Sequence, residues 1–149
     1  MLEKDQIIHL YNQGNNRRTI FYNRENYLFF LKKLRKHLPP FCEILCYCLM
    51  PNHLHVMINT NESTERMKWV RNKEISEFSE NLRIMLNSYT TAINKQQNTF
   101  GSLFRQNTKL KRAMIMPLTN ENNYICEFPV GLWEPGRHRI LLKVLNIMR

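Results

Sequence analysis

His53 and His55 stand one residue apart in the run Leu49-Met50-Pro51-Asn52-His53-Leu54-His55-Val56-Met57-Ile58. On an extended chain, side chains two apart leave from the same side, with Cβ atoms roughly 6–7 Å apart. Two imidazoles so placed can converge on one divalent ion. Imidazole suits several transition metals, and oxygen ligands completing the site admit Mg²⁺ or Mn²⁺. Taken alone, the pair favours two hydrogen-bonded histidines, and its context has to argue otherwise.

The other reactive types offer less. Cys42, Cys46 and Cys48 crowd one short segment, and Cys126 stands apart. Neither Cys-x-x-Cys nor finger spacing occurs, so buried strand thiols in a reducing cytoplasm are expected, rather than zinc or a disulfide framework. No glycine-rich phosphate loop is present. His9, His37 and His138 look isolated and receive no role. Trp69 and Trp133 can stack on bases, but packing is expected of both.

Charge supplies the context. Lys and Arg number 22 against 12 Asp and Glu, a formal +10. A field of that sign draws polyanions, and nucleic acid is the usual one. The cations are grouped: Arg17, Arg18 and Arg24, then Lys32, Lys33, Arg35 and Lys36, then Arg105, Lys109, Lys111 and Arg112. Grouping favours nucleic acid over a merely soluble basic surface. No basic segment carries the strongly exposed apolar face of a membrane-surface binder. No apolar run approaches twenty residues, and the first six residues lack a secretory pattern. With 149 residues, 43% hydrophobic and 23% charged, the chain suits one ordinary core.

The elements that must position the histidines follow from periodicity. Gln6 to Asn12 is short and rich in strand formers, and Gly14-Asn15-Asn16 marks a turn. Asn23 can cap a helix from Glu25 to Leu38, with Tyr27, Phe30, Leu31, Leu34 and Leu38 on one face and Pro39-Pro40 as the stop. Glu43 to Leu49 reads as a buried strand, and His53 to Asn59 as its return across Pro51-Asn52. In the return strand Leu54, Val56 and Ile58 share one face, while His53, His55 and Met57 share the other. A polar loop from Asn59 to Met67 precedes a helix from about Lys73 to Asn94, striped by Ile75, Phe78, Leu82, Met85, Leu86, Tyr89 and Ile93. Gly101 to Arg105 is expected as a fourth strand, and Ile140 to Met148 as a short last helix. This order describes an α+β domain, a ferredoxin-like split βαβ antiparallel sheet with helices on one face. His53 and His55 then point to the open face.

Three motifs in order carry a family resemblance. The His-x-His run resembles the signature of the single-tyrosine HUH transposases. His9 to Arg17 followed by Thr19-Ile20-Phe21, and Phe100 to Lys109, resemble the REP-associated tyrosine transposase group. The likeness runs from about His9 to Arg112. It implies the HUH endonuclease fold, and proteins that cut single-stranded DNA beside small hairpins. A tyrosine forms a 5′-phosphotyrosine there, and a divalent ion, Mg²⁺ or Mn²⁺, sits on the two histidines. Carried over, His53 and His55 become metal ligands. Arg17, Arg18, Arg105, Lys109, Lys111 and Arg112 become candidate DNA contacts. The partners implied are single-stranded DNA hairpins, with no membrane and no ATP, in a bacterial cytoplasm. A homodimer is the assembly to test.

The catalytic tyrosine is the point of departure. The resemblance implies a helix after the fourth strand bearing Tyr-Ile-x-x-Asn-Pro. The nearest match is Tyr124-Ile125-Cys126-Glu127-Phe128-Pro129, where Phe128 replaces the amide. Tyr124 is the candidate nucleophile, ahead of Tyr89, which lies on an apolar helical stripe. Residues 1–125 thus read as a transposase-like domain and 126–149 as a divergent tail, as a frameshifted or truncated gene would produce. Three functions remain open: a transposase-type nuclease and strand transferase, a catalytically inactive DNA-hairpin binder, and a basic RNA-binding ferredoxin-like module. The last would need aromatic side chains on the sheet face.

Overall fold

The computed structural model describes residues 2–113, 115–117, 123–126 and 140–143. Strand β1 (Ile7–Gln13) leads through a 3-10 turn at Asn15–Arg17 into helix α1 (Arg24–His37). Strands β2 (Cys42–Met50) and β3 (His53–Thr60) follow, then β4 (Met67–Val70), β5 (Lys73–Ser76), helix α2 (Glu77–Gln97) and β6 (Lys109–Arg112). Three short strands complete the order: β7 (Ile115–Pro117), β8 (Asn123–Cys126) and β9 (Ile140–Lys143).

The main sheet runs β2-β3-β1-β6, antiparallel at every pairing. This is the ferredoxin-like order expected of a split βαβ unit. One core joins sheet to helices. Ile8 and Leu10 of β1 and Leu54, Val56 and Ile58 of β3 share it with Phe30 and Leu34 of α1 and with Phe78, Leu82, Met85 and Ile93 of α2. Burying such side chains contributes about 1.5–3 kcal/mol each, which fixes the face β3 turns inward. Aromatic rings knit the helices together, with Phe30 and Tyr89 edge to face at 5.1 Å and Phe21 and Phe30 at 5.3 Å.

Both helices begin as their sequences require. The Asn23 side chain accepts from Asn26 N–H at 3.0 Å, and that of Ser76 from Ser79 N–H at 3.4 Å. The start of α2 nevertheless lies four residues beyond the expected Lys73. Lys73 to Ser76 instead pairs with Met67 to Val70 as a hairpin across Arg71-Asn72. The expected fourth strand at Gly101–Arg105 is also displaced. Phe104 only bridges Gly14, and the edge strand is Lys109–Arg112. Its three cations disguise it, although lysine is well suited to a sheet edge. Nor is β2 a buried strand. It is the opposite edge, irregular between Ile44 and Cys46, with Leu45 and Tyr47 exposed. Ile140–Lys143 is a strand paired with β8, not the expected helix. Ile and two Leu in four residues serve a strand as well as a helix, and pairing decides.

Gly14 is where three segments meet. Its N–H donates to Asn52 O at 2.8 Å, Asn15 N–H to Leu103 O at 2.9 Å, and Arg105 N–H to Gln13 O at 2.9 Å. A Cβ on Gly14 would fall 1.8 Å from the Arg18 carbonyl oxygen. Backbone, not a flexible side chain, would have to move. Gly14→Ala should therefore lower unfolding free energy by about 2–3 kcal/mol. A chemical denaturation midpoint matching the wild type would contradict this.

Candidate functional site

Hydrophobic burial on one face of β3 dictates what the other presents. Leu54, Val56 and Ile58 are buried, so His53, His55 and Met57 point away from the helices. The β1 register aligns Tyr11 with His55 and His9 with Met57, and β6 aligns Lys109 with Tyr11 and Lys111 with His9. Paired residues share a face. The second face of the sheet thus gathers three histidines, a tyrosine and two lysines.

The two expected ligands lie together there. Their ring centroids are 5.3 Å apart, nearly perpendicular, and both residues are half-buried. His53 Nδ1 is 2.7 Å from Asn52 Oδ1. An amide oxygen accepts, so with this contact Nδ1 carries the proton and Nε2 the lone pair. Metal-bound imidazoles are commonly oriented in this way.

His9 is not isolated as its sequence position suggested. Its Nε2 lies 2.8 Å from His55 Nδ1, and the two rings stack at 5.0 Å. The Tyr11 ring stacks on His9 at 4.8 Å and on His55 at 6.0 Å, and Lys111 Nζ is 5.9 Å from the Tyr11 ring centre. The spacing His9-x-Tyr11 on a strand hinted that both share a face. Which residues they would meet depended on register. The sheet face therefore does carry an aromatic row.

Burial, then His55 and Lys111, push the His9 pKa down to about 3, and burial, then His53, push that of His55 down to about 4. Both are neutral at pH 7, the form in which imidazole binds metal. His53 and His55 can offer imidazole nitrogen to an ion, with oxygen ligands completing the site. Among the described residues no cluster of three His, Cys, Asp or Glu side chains is arranged to hold a metal.

The expected DNA contacts divide. Arg17 is exposed, with φ at 60°, while the Arg18 guanidinium donates to Asn94 Oδ1 at 3.0 Å and to Thr99 Oγ1. Arg18 thereby ties the turn after β1 to the end of α2. Arg105 and Lys109 are exposed, and Lys111 is half-buried beside Tyr11. Arg112 is exposed and lies 3.8 Å from Glu3. Lys32, Arg35 and Lys36 are exposed on α1, while Lys33 is half-buried and its Nζ donates to Ser88 Oγ of α2 at 2.5 Å.

The tyrosines separate as well. Tyr89 is fully buried, its hydroxyl donates to Ile20 O at 3.0 Å, and burial pushes its pKa well above the usual tyrosine value. It packs the core. Tyr124 lies on strand β8, opposite Pro117 and Leu142, rather than on the helix that the resemblance implied. Asn-Tyr-Ile-Cys is a strand-forming run, and neighbours on both sides pair with it. The β8–β9 pairing crosses position 126. Phe128, Trp133, His138 and most of the expected tail at 126–149 lie outside the described residues. Cys42, Cys46 and Cys48 are not joined by disulfides, and burial pushes Cys42 up to about 12. Trp69, expected to pack, is 75% exposed.

No family model and no curated protein matches this sequence. Among solved structures, the chain is similar to a REP-associated tyrosine transposase bound to a REP hairpin, at 15% identity and a TM-score of 0.51. The match covers 80% of this chain and 61% of that one, so this chain spans about three-fifths of the neighbour's length. At that identity the likeness establishes a shared fold alone, a ferredoxin-like antiparallel sheet with helices on one face. Among the described residues no helix is long and apolar enough to cross a membrane.

The neutral, buried histidines make stability pH-dependent. Their folded pKa values lie below the unfolded value near 6.5, so the unfolded chain takes up more protons as pH falls. The stabilisation is complete above about pH 6.5 and is lost progressively toward the folded values near 3 and 4. The melting temperature should hold steady from pH 8 to 7, then fall by roughly 5 °C or more by pH 4.5. His9→Gln should flatten that slope. Calorimetry across this range gives the answer, and equal slopes for both proteins would contradict the assignment.

Proposed function

We propose that this protein binds DNA hairpins and acts on the adjoining single strand as a transposase-type nuclease and strand transferase. The observation that carries the reading is the His53–His55 pair on the second face of a transposase-like sheet, beside Lys109 and Lys111. A divalent ion held by the two imidazoles, Mg²⁺ or Mn²⁺, would neutralise charge developing on a backbone phosphate. Lys109, Lys111, Arg105 and Arg17 would hold neighbouring phosphates, and Arg112 the strand beyond the sheet edge. Salt-sensitive affinity follows. Asn52 and His9 would keep the two imidazoles in the tautomer that leaves Nε2 basic.

Tyr124 is the nucleophile of this reading. Its oxygen would attack phosphorus and give up its proton, while the bond to the 3′ oxygen breaks and leaves a 3′-hydroxyl. The covalent 5′-phosphotyrosine conserves the bond energy, so rejoining needs no ATP. A second reading, a hairpin binder that does not cut, is favoured by the place of Tyr124 on a strand and by Phe128 in the amide position.

A labelled single-stranded hairpin incubated with the protein and Mn²⁺ separates the two. A covalent protein–DNA adduct that disappears with Tyr124→Phe supports cleavage. Tight binding without an adduct supports the second reading. Preference for the same sequence as RNA overturns both. His53→Ala and His55→Ala should each weaken Mn²⁺ binding by tenfold or more in calorimetry. Arg17→Ala should lower the salt slope of DNA binding by about one, whereas Arg18→Ala should lower the melting temperature.

A further inference from the structure

The β4–β5 hairpin belongs to no layer of the main sheet and forms a two-stranded sheet of its own. Its sequence, Met67-Lys68-Trp69-Val70-Arg71-Asn72-Lys73-Glu74-Ile75-Ser76, holds three cations and one carboxylate, Glu74. Trp69 is 75% exposed, far more than a packing tryptophan. It pairs with Glu74, so Trp69 occupies one face of the ribbon, while Lys68 and Lys73 share the other with Val70 and Ile75.

The tip is unusual. Arg71 and Asn72 link the paired residues Val70 and Lys73, with φ of 48° and 61°. A two-residue hairpin turn of this hand favours Asn or Gly in its first position, because an ordinary side chain is disfavoured at positive φ. Arginine there costs stability in the turn. It does set a guanidinium at the extremity of a cationic arm that ends in an exposed indole. One carboxylate near the base of the arm, Glu80, is occupied. Glu80 is bridged by Arg83 at 2.6 Å and feels Lys68 and Arg71 more weakly.

We infer that this hairpin is a second nucleic-acid contact, separate from the histidine face. Trp69 stacks on an unpaired base of the strand flanking a DNA hairpin, Arg71 at the tip holds its phosphate, and Lys68 and Lys73 add longer-range attraction from the other face of the ribbon. Indole stacking is tolerant of base identity, and the cations supply backbone affinity, the two components of single-strand binding. The inference rests on the DNA reading above and adds where the flanking strand is held.

The test uses the full chain with a fluorescent DNA hairpin, once with an unpaired flank and once blunt, by anisotropy from 50 to 200 mM salt. Trp69→Ala should weaken binding of the flanked hairpin about tenfold and leave the blunt one unchanged. Trp69→Phe should retain most of the affinity. Arg71→Gly relieves the positive φ, so its melting temperature should equal or exceed wild type, while its salt slope falls by about one. That combination cannot come from misfolding. In a Trp133→Phe background, the remaining indole fluorescence should be quenched on binding. Wild-type binding that neither variant alters, or equal losses on both hairpins, overturns the arm and leaves the DNA reading intact. Absence of DNA binding by the wild type overturns both.

Discussion

Everything placed on the second face of the sheet depends on the register between β1 and β3. Leu54, Val56 and Ile58 enter the core opposite Asn12, Leu10 and Ile8. A slip of one residue would carry two imidazoles into the interior and three aliphatic side chains out of it. At about 1.5–3 kcal/mol for each aliphatic group, that exchange is comparable to the whole net stability of a domain. The direction of His53 and His55 is thus set by hydrophobic burial on the far side of their own strand. No interaction between the histidines is needed to hold it.

The price of this arrangement is a crowded polar cluster. His9 and Met57 are buried although they face away from the helices. An imidazole in that position stays neutral and needs a partner, and His55 Nδ1 lies within hydrogen-bond reach of it. Lys111 works in the same sense, since a nearby cation disfavours a second one on His9. The positive charge that would attract a phosphate therefore also holds His9 in its neutral form.

The basic residues, uniform in sequence, have different work in the fold. Arg18 is a structural tie to Asn94 and Thr99, while its neighbour Arg17 is exposed. Gly14 makes this split possible by letting the turn press against the Pro51-Asn52 connection, where Pro51 O accepts from Ile20 N–H at 2.6 Å and Phe21 N–H at 3.0 Å. The same locks fix Asn52, which orients His53.

The sequence by itself determined the two helices, the β3 alternation, the facing direction of the histidine pair and the α+β class. Each of these is written in a local period, 3.6 or 2, that a single segment displays. Tertiary structure alone decided that His9 and Tyr11 join the pair, that the fourth strand is Lys109–Arg112, that β2 is an exposed edge, and that Trp69 stands in solvent on a hairpin. It also set Tyr124 on a strand. These depend on which segment lies alongside which. A strand carries its side-chain period in its own residues, but its neighbours and register are chosen by the balance of burial over the whole sheet.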